Sequence, residues 1–177
     1  IEKELNCMSQ LLQSNIANYL IAIISGTFIT LSLAPFNLWA LSILSCGLLF
    51  RILQKKTLLN SLIIGWMFGI GLFGSGASWV YVSIHDFGYT SDFLALMLTI
   101  IFCSLLAFFF AIHFCLFAYL NKNNNEKLFF SILLFGVVWV LSEYTRSYLF
   151  SGFPWLLLGY SQTESQLSSL APIIGVY

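Results

Sequence analysis

Charge is what this sequence has least of. Only 8% of its 177 residues are Asp, Glu, Lys or Arg, against roughly 25% in soluble domains. Seven basic residues balance seven acidic ones, so no charged surface for nucleic acid is expected. Cysteine is also sparse: Cys7, Cys46, Cys103 and Cys115 show no paired metal-ligand spacing. On a helix, Cys103 and Cys115 stand about 18 Å apart, too far for a disulfide. All four read as small apolar fillers, and neither a metal nor another cofactor is expected. In place of charge the chain carries 59% hydrophobic residues, with 18 Phe, 8 Tyr and 5 Trp, and a mean hydropathy of +0.91. Aromatics collect at bilayer interfaces, and this composition defines an all-α integral membrane protein.

Each span needs about 20 mostly apolar residues. The apolar runs fall at residues 17–34, 37–53, 58–82, 93–120 and 128–148, with a sixth starting near Leu170. Residues 1–15 read as an amphipathic interfacial segment, and residues 16–177 as one transmembrane helical domain. Ser32-Leu33-Ala34 imitates a leader-cleavage site, but Pro35 follows directly and the nearest upstream cation is Lys3, so the first span is read as retained. Residues 121–127 form the clearest loop. An N-terminus on the cytoplasmic side places six of the seven basic residues inside and only Arg146 outside, as the positive-inside rule requires. Three segments rich in Pro, Gly and aromatics, residues 34–39, 79–89 and 152–160, then share the outer face. Any chemistry is expected there. The chain opens on Ile1 and closes on an apolar stretch at Tyr177, so it is read as a fragment.

Residues 69–74 match the glycine pattern of a dinucleotide loop, with Asp92 downstream. That loop needs a preceding strand and an open helix N-terminus, which an apolar span cannot offer. Ser61, Gly65, Gly69 and Gly76 instead mark one helical face on which a neighbour can approach closely; Gly71 and Gly74 lie off it and are expected to permit a bend. Ser83, His85 and Asp86 are too close in sequence to surround one nucleophile and form a local polar cluster. His113 reads as a hydrogen-bonded structural histidine. Glu143 and Arg146, at i and i+3, can pair on one face, as a helix-end anchor or as a polar contact with a headgroup or outer domain. Gly152-Phe153-Pro154-Trp155 is non-helical. Such backbone is tolerated at membrane depth only when it is buried or lines a cavity, which suggests a groove lined by lipid or substrate.

Residues 71–84 with Phe87-Gly88, residues 142–146, the run Gly152-Phe153-Pro154-Trp155, and residues 159–162, 170–176 and 33–39 together resemble the bacterial apolipoprotein N-acyltransferases. The resemblance covers nearly the whole chain. It implies the last step of lipoprotein maturation, in which an acyl chain moves from a phospholipid, typically phosphatidylethanolamine, to the α-amino group of an S-diacylglyceryl cysteine. It also implies an eight-span protein of the bacterial inner membrane. A periplasmic nitrilase-like domain before the last span carries a Glu-Lys-Cys triad, with Cys forming a thioester, Glu as general base and Lys steadying the oxyanion.

That domain is absent from these 177 residues. No cysteine here is assigned as the nucleophile, no catalytic residue is assigned, and the chain alone is expected to be inactive. Trp79, Tyr81, Phe153, Trp155 and Tyr160 are expected to line the lipid groove, with Glu143 and Arg146 in polar contacts. The implied partners are a phospholipid donor, a diacylglyceryl-apolipoprotein acceptor, membrane lipid and the missing catalytic domain. A polytopic transporter is the rival class, yet His113 is almost the only ionisable group near a bilayer midplane. A non-catalytic membrane scaffold is the other.

Overall fold

A computed structural model describes the backbone of residues 2–122, 127–149 and 152–177, and their side chains except at residues 2–14 and 174. The amphipathic reading of residues 1–15, the surroundings of Cys7, and most of the 121–127 loop lie outside the described residues. The described residues are all helix, turn and irregular backbone. Helices α1 (Glu2–Ser32), α3 (Leu58–Gly76), α5 (Asp92–Asn121) and α6 (Leu128–Tyr148) each contain a stretch long and apolar enough to cross a membrane.

The second apolar run forms only α2 (Ala40–Leu53), 14 residues long. At 1.5 Å per residue it reaches about 21 Å, short of a bilayer core of about 30 Å. Its start is delayed by a turn in which Asn37 takes φ 55° and the Leu38 amide donates to the Leu31 carbonyl at 3.2 Å. The third run also ends early. The Thr57 hydroxyl caps α3 by accepting from the Asn60 amide at 3.3 Å, but the helix stops at Gly76. A single turn, α4 (Val80–Val82), and a π-helical turn (Ser83–Phe87) then lead over to α5. Beyond α6 come two 3₁₀ turns (Leu158–Gln162 and Gln166–Leu170) and one turn of helix, α7 (Ala171–Ile174), at the start of the sixth apolar run.

Helix α3 is the centre of the bundle, packed on one side by α5 and on the other by α1; α2 adds to α1 and α6 to α5. Lipid tails are as apolar as leucine, so association must come from close packing. Two sets of small residues on α3 supply it. A Cβ on Gly65 would lie 2.6 Å from the Phe110 carbonyl oxygen, and one on Gly69 would lie 2.5 Å from the Ala107 Cα, so both glycines face α5. Gly71 is a packing position. Its Cα lies against α1, where a Cβ would come 2.1 Å from the Ile23 carbonyl oxygen, and Gly26 of α1 is equally tight against Phe68. Gly76, grouped by spacing with the α5 face, meets Leu156 and Thr30 instead. Ser61 is fully buried.

The inner half of the bundle is filled by aromatic rings. Phe68 meets Phe110 at 5.0 Å and Trp139 at 5.5 Å, both steeply inclined, and Phe114 stacks on Phe135 at 5.8 Å. These offset and edge-to-face arrangements suit the ring quadrupoles. They also bring α6 onto α3 and α5, which sets the position of its C-terminal end.

The contacts at Gly26 and Gly71 are backbone on backbone, so no rotamer change can relieve them. Gly26→Ala and Gly71→Ala should each destabilise the chain by about 1–3 kcal/mol, read as a lower midpoint of thermal unfolding in detergent. Gly74→Ala, which meets nothing within 4 Å, should leave that midpoint unchanged or slightly higher.

Candidate functional site: a shaped segment held by α6

After α6 the backbone leaves helical geometry. Gly152 takes φ +77°, and a Cβ there would lie 2.0 Å from the Ser147 carbonyl oxygen, so only glycine fits. Leu156 is also left-handed, at φ 58°. Pro154 has no amide hydrogen. A segment of this kind leaves carbonyls and amides without helical partners, and in a low-dielectric setting each must find another.

The partners are Glu143 and Arg146. Arg146 Nη1 donates to the Phe153 carbonyl at 2.7 Å and to the Trp155 carbonyl. Glu143 Oε1 accepts the Leu158 amide at 2.8 Å and the Trp139 indole N–H at 3.0 Å. The Phe153 amide donates back to the Arg146 carbonyl at 2.9 Å. The guanidinium carbon sits 5.3 Å from the centroid of the Phe73 ring, a cation–π contact. Both side chains are buried, with 2% of Glu143 and 1% of Arg146 exposed.

The expected i, i+3 ion pair between them is not formed: the described residues show salt bridges only at His85. Each side chain turns to the 153–158 segment, whose backbone groups need charge-assisted hydrogen bonds. Little of either side chain is exposed, and of the two only Glu143 borders a groove.

The aromatic residues fall into separate groups. Trp79 and Trp155 approach at 6.1 Å, and Trp155 stacks on Phe153 at 6.0 Å. Phe153 continues inward to Phe102 at 5.4 Å and Phe73 at 6.4 Å. Trp79 and Trp155 remain about half exposed, at 47% and 54%, so this cluster runs from the core to the surface. Tyr160 lies elsewhere, on a groove of about 560 Å³ between α2 and α6 that is also lined by Ser42, Cys46, Trp139, Glu143 and Gln162. Gln162 Nε2 donates to the Ser42 hydroxyl at 2.8 Å and Asn37 Nδ2 to Glu164 at 2.7 Å. These bonds tie residues 158–164 back to the start of α2 and the turn before it.

Tyr81 belongs to a third group. Its ring stacks on His85 at 5.6 Å with an interplanar angle of 3°, and its hydroxyl donates to Asp92 at 3.3 Å. His85 Nδ1 lies 2.6 Å from Asp86 and Nε2 lies 2.7 Å from Asp92, so the imidazole bridges the π-helical turn to the start of α5. Ser83 takes no part in these contacts. His113 bonds the Phe109 carbonyl through Nδ1 at 2.7 Å and Thr145 through Nε2 at 3.2 Å, joining α5 to α6. Three contributors were not singled out from sequence. Trp139 stands one turn before Glu143 and could have been found by that spacing. Phe73 and Gln162 lie in stretches that carry the family resemblance, which gave neither a role of its own.

The hydrogen bond to Asp86, aided by the negative charges of Asp92 and Asp86, raises the pKa of His85 against some opposing desolvation. A group whose folded pKa is raised stabilises its surroundings fully below its unfolded value, about 6.5 for histidine, and loses that effect as pH rises through the folded value. Amide hydrogen exchange in residues 83–91, corrected for intrinsic rates, should therefore be slowest below about pH 6.5 and should speed up at higher pH. His85→Gln should remove the pH dependence.

Residues 25–177 match the family model described as the apolipoprotein N-acyltransferase N-terminal domain. The chain is 40% identical over 160 residues to the apolipoprotein N-acyltransferase of Coxiella burnetii, covering 90% of this chain and 33% of that protein. It is 42% identical over 159 residues to the Pseudomonas aeruginosa protein of the same name, covering 90% and 31%. For the Photobacterium profundum protein the identity is 40% over 163 residues, covering 92% and 31%. The chain thus spans about a third of the length of these relatives. With bacterial relatives and four helices fit to cross a membrane, it is a bacterial membrane protein, and it belongs to the apolipoprotein N-acyltransferase N-terminal domain family.

Proposed function

We propose that this chain is the membrane part of an apolipoprotein N-acyltransferase, in which it carries a separate catalytic domain at the outer surface and shapes the path by which a phospholipid donor reaches it. The observation that carries this reading is the aromatic chain Phe73–Phe153–Trp155–Trp79, which runs from the packed core to a half-exposed pair of indoles. Indoles suit the boundary between acyl chains and headgroups, and the rigid segment beneath them gives that boundary a fixed shape.

The donor in this reading is phosphatidylethanolamine and the acceptor the α-amino group of a diacylglyceryl-cysteine apolipoprotein. Trp79, Phe153 and Trp155 line the donor path, with Tyr81 and Tyr160 on flanking surfaces and Glu143 and Arg146 supporting it from within. The membrane is the bacterial inner one, with the aromatic segments facing the periplasm. Lys55, Lys56 and Lys122 share a hollow with Tyr119 and Asn121, which favours the cytoplasmic side for that end. None of the cysteines among the described side chains is assigned as a nucleophile: Cys46 sits within helix α2, and Cys103 and Cys115 within α5.

A chimera tests this. The matching third of the Pseudomonas aeruginosa enzyme is replaced by this chain and expressed in cells depleted of their own enzyme. Mass spectrometry of a reporter lipoprotein should show an acylated α-amino group, whereas the chain expressed alone should leave the amine free. Trp155→Ala in the chimera should raise KM for phosphatidylethanolamine by about tenfold with little change in kcat. A correctly inserted chimera that leaves the reporter amine free would contradict the proposal.

A further inference from the structure

We infer that Glu143 and Arg146 are positioning residues for the donor path: from inside α6 they fix the backbone of residues 153–158 and thereby set Trp155 against Trp79. The inference rests on the acyl-transfer reading above, and replaces direct polar contact with substrate by action through the segment.

Geometry and burial carry it. Arg146 joins two carbonyls that flank Pro154, at Phe153 and Trp155, and so fixes both ends of the dipeptide that aims the indole. Glu143 closes the other end of the segment at the Leu158 amide and is held in place by the Trp139 indole. Between them Leu156 takes its left-handed conformation, with its side chain inserted against Gly76, and Leu157 is 1% exposed. The segment is thus fastened at both ends to α6 and wedged at its middle against the end of α3. An anchor at a helix end would reach towards water, and a headgroup ligand would have to be accessible. Both side chains are almost fully buried, and the polar atoms they use are bonded to the segment.

The two residues make different chemical demands. Glu143 accepts both the Trp139 and the Leu158 hydrogen bonds on one carboxylate oxygen, a role the amide oxygen of Gln can take. Arg146 combines a planar face over Phe73 with donation to two carbonyls, and Lys offers charge without that plane. The assignment therefore predicts that Glu143→Gln is tolerated and Arg146→Lys is not. A purely electrostatic role would give the reverse.

The test uses the chain labelled with 5-fluorotryptophan in phosphatidylethanolamine nanodiscs, where its five Trp residues give separate fluorine signals and Trp155→Phe assigns the relevant one. Glu143→Gln should leave the Trp155 signal in place. Glu143→Leu and Arg146→Met should displace or broaden it while the signal of Trp66, on α3, stays fixed. A Trp155 signal unmoved in Glu143→Leu and Arg146→Met, with Trp66 intact, overturns the inference. If those two variants lose the Trp66 signal as well, the conservative pair decides. Displacement in Arg146→Lys but not in Glu143→Gln supports positioning, and any other pattern overturns it. In the chimera, Arg146→Lys should raise KM for phosphatidylethanolamine by about tenfold with kcat held within about twofold; unchanged kinetics overturn the link to the donor path. A chimera carrying the unaltered chain that transfers no acyl group overturns the acyl-transfer reading, while the fluorine shifts still decide the positioning.

Discussion

Backbone polar groups buried away from water must be satisfied by the protein itself, and the segment that follows α6 is arranged around that requirement. A helix meets it alone. Residues 152–158 cannot, because Gly152 and Leu156 take positive φ and Pro154 lacks a donor. One carboxylate and one guanidinium, both on the last two turns of α6, substitute for the missing helical partners. Burying two charges is costly, and breaking one from its partners costs more. The position of the segment is therefore as firm as the position of α6.

That position depends on the bundle beneath. Phe68, Phe110, Phe114, Phe135 and Trp139 hold α6 to α3 and α5, and Trp139 also donates its indole hydrogen to Glu143. The same side chain is thus part of the core packing and part of the support for the outer segment. His113 and Thr145 add a second polar tie between α5 and α6 close to the same end. The glycine contacts of α3 with α1 and α5 set the spacing on which the aromatic packing rests, so a loss of close approach at Gly71 should reach Trp155 through several rigid steps.

Much of the architecture was legible in the sequence. Hydrophobic runs with little charge gave the helices, because a bilayer-spanning segment announces itself by composition. Helix ends were less so: α2 begins at Ala40 and not at residue 37, since the turn around Asn37 depends on a bond to Leu31. The small residues of α3 showed that packing mattered but not which neighbour each one meets. Gly65 and Gly69 face α5, whereas Gly71 finds α1, and its counterpart Gly26 carries no periodic signal of its own. Glu143 and Arg146 stood out as rare charges, but spacing alone suggested that they pair. Their actual partners are the Trp139 indole, the Phe73 ring and backbone atoms of a segment whose path is set only by tertiary structure.

The most direct measurement of this account is a dipolar-recoupling distance in the solid state between guanidinium nitrogen and tryptophan carbonyl carbon. The chain is labelled with ¹⁵Nη-arginine and carbonyl-¹³C-tryptophan in lipid bilayers, with Arg51→Lys leaving Arg146 as the one labelled arginine. A hydrogen bond from Arg146 to the Trp155 carbonyl predicts a separation of about 3.5 Å for one of the five tryptophans, removed by Trp155→Phe. Absence of any such short distance would contradict the claim that Arg146 holds the outer segment.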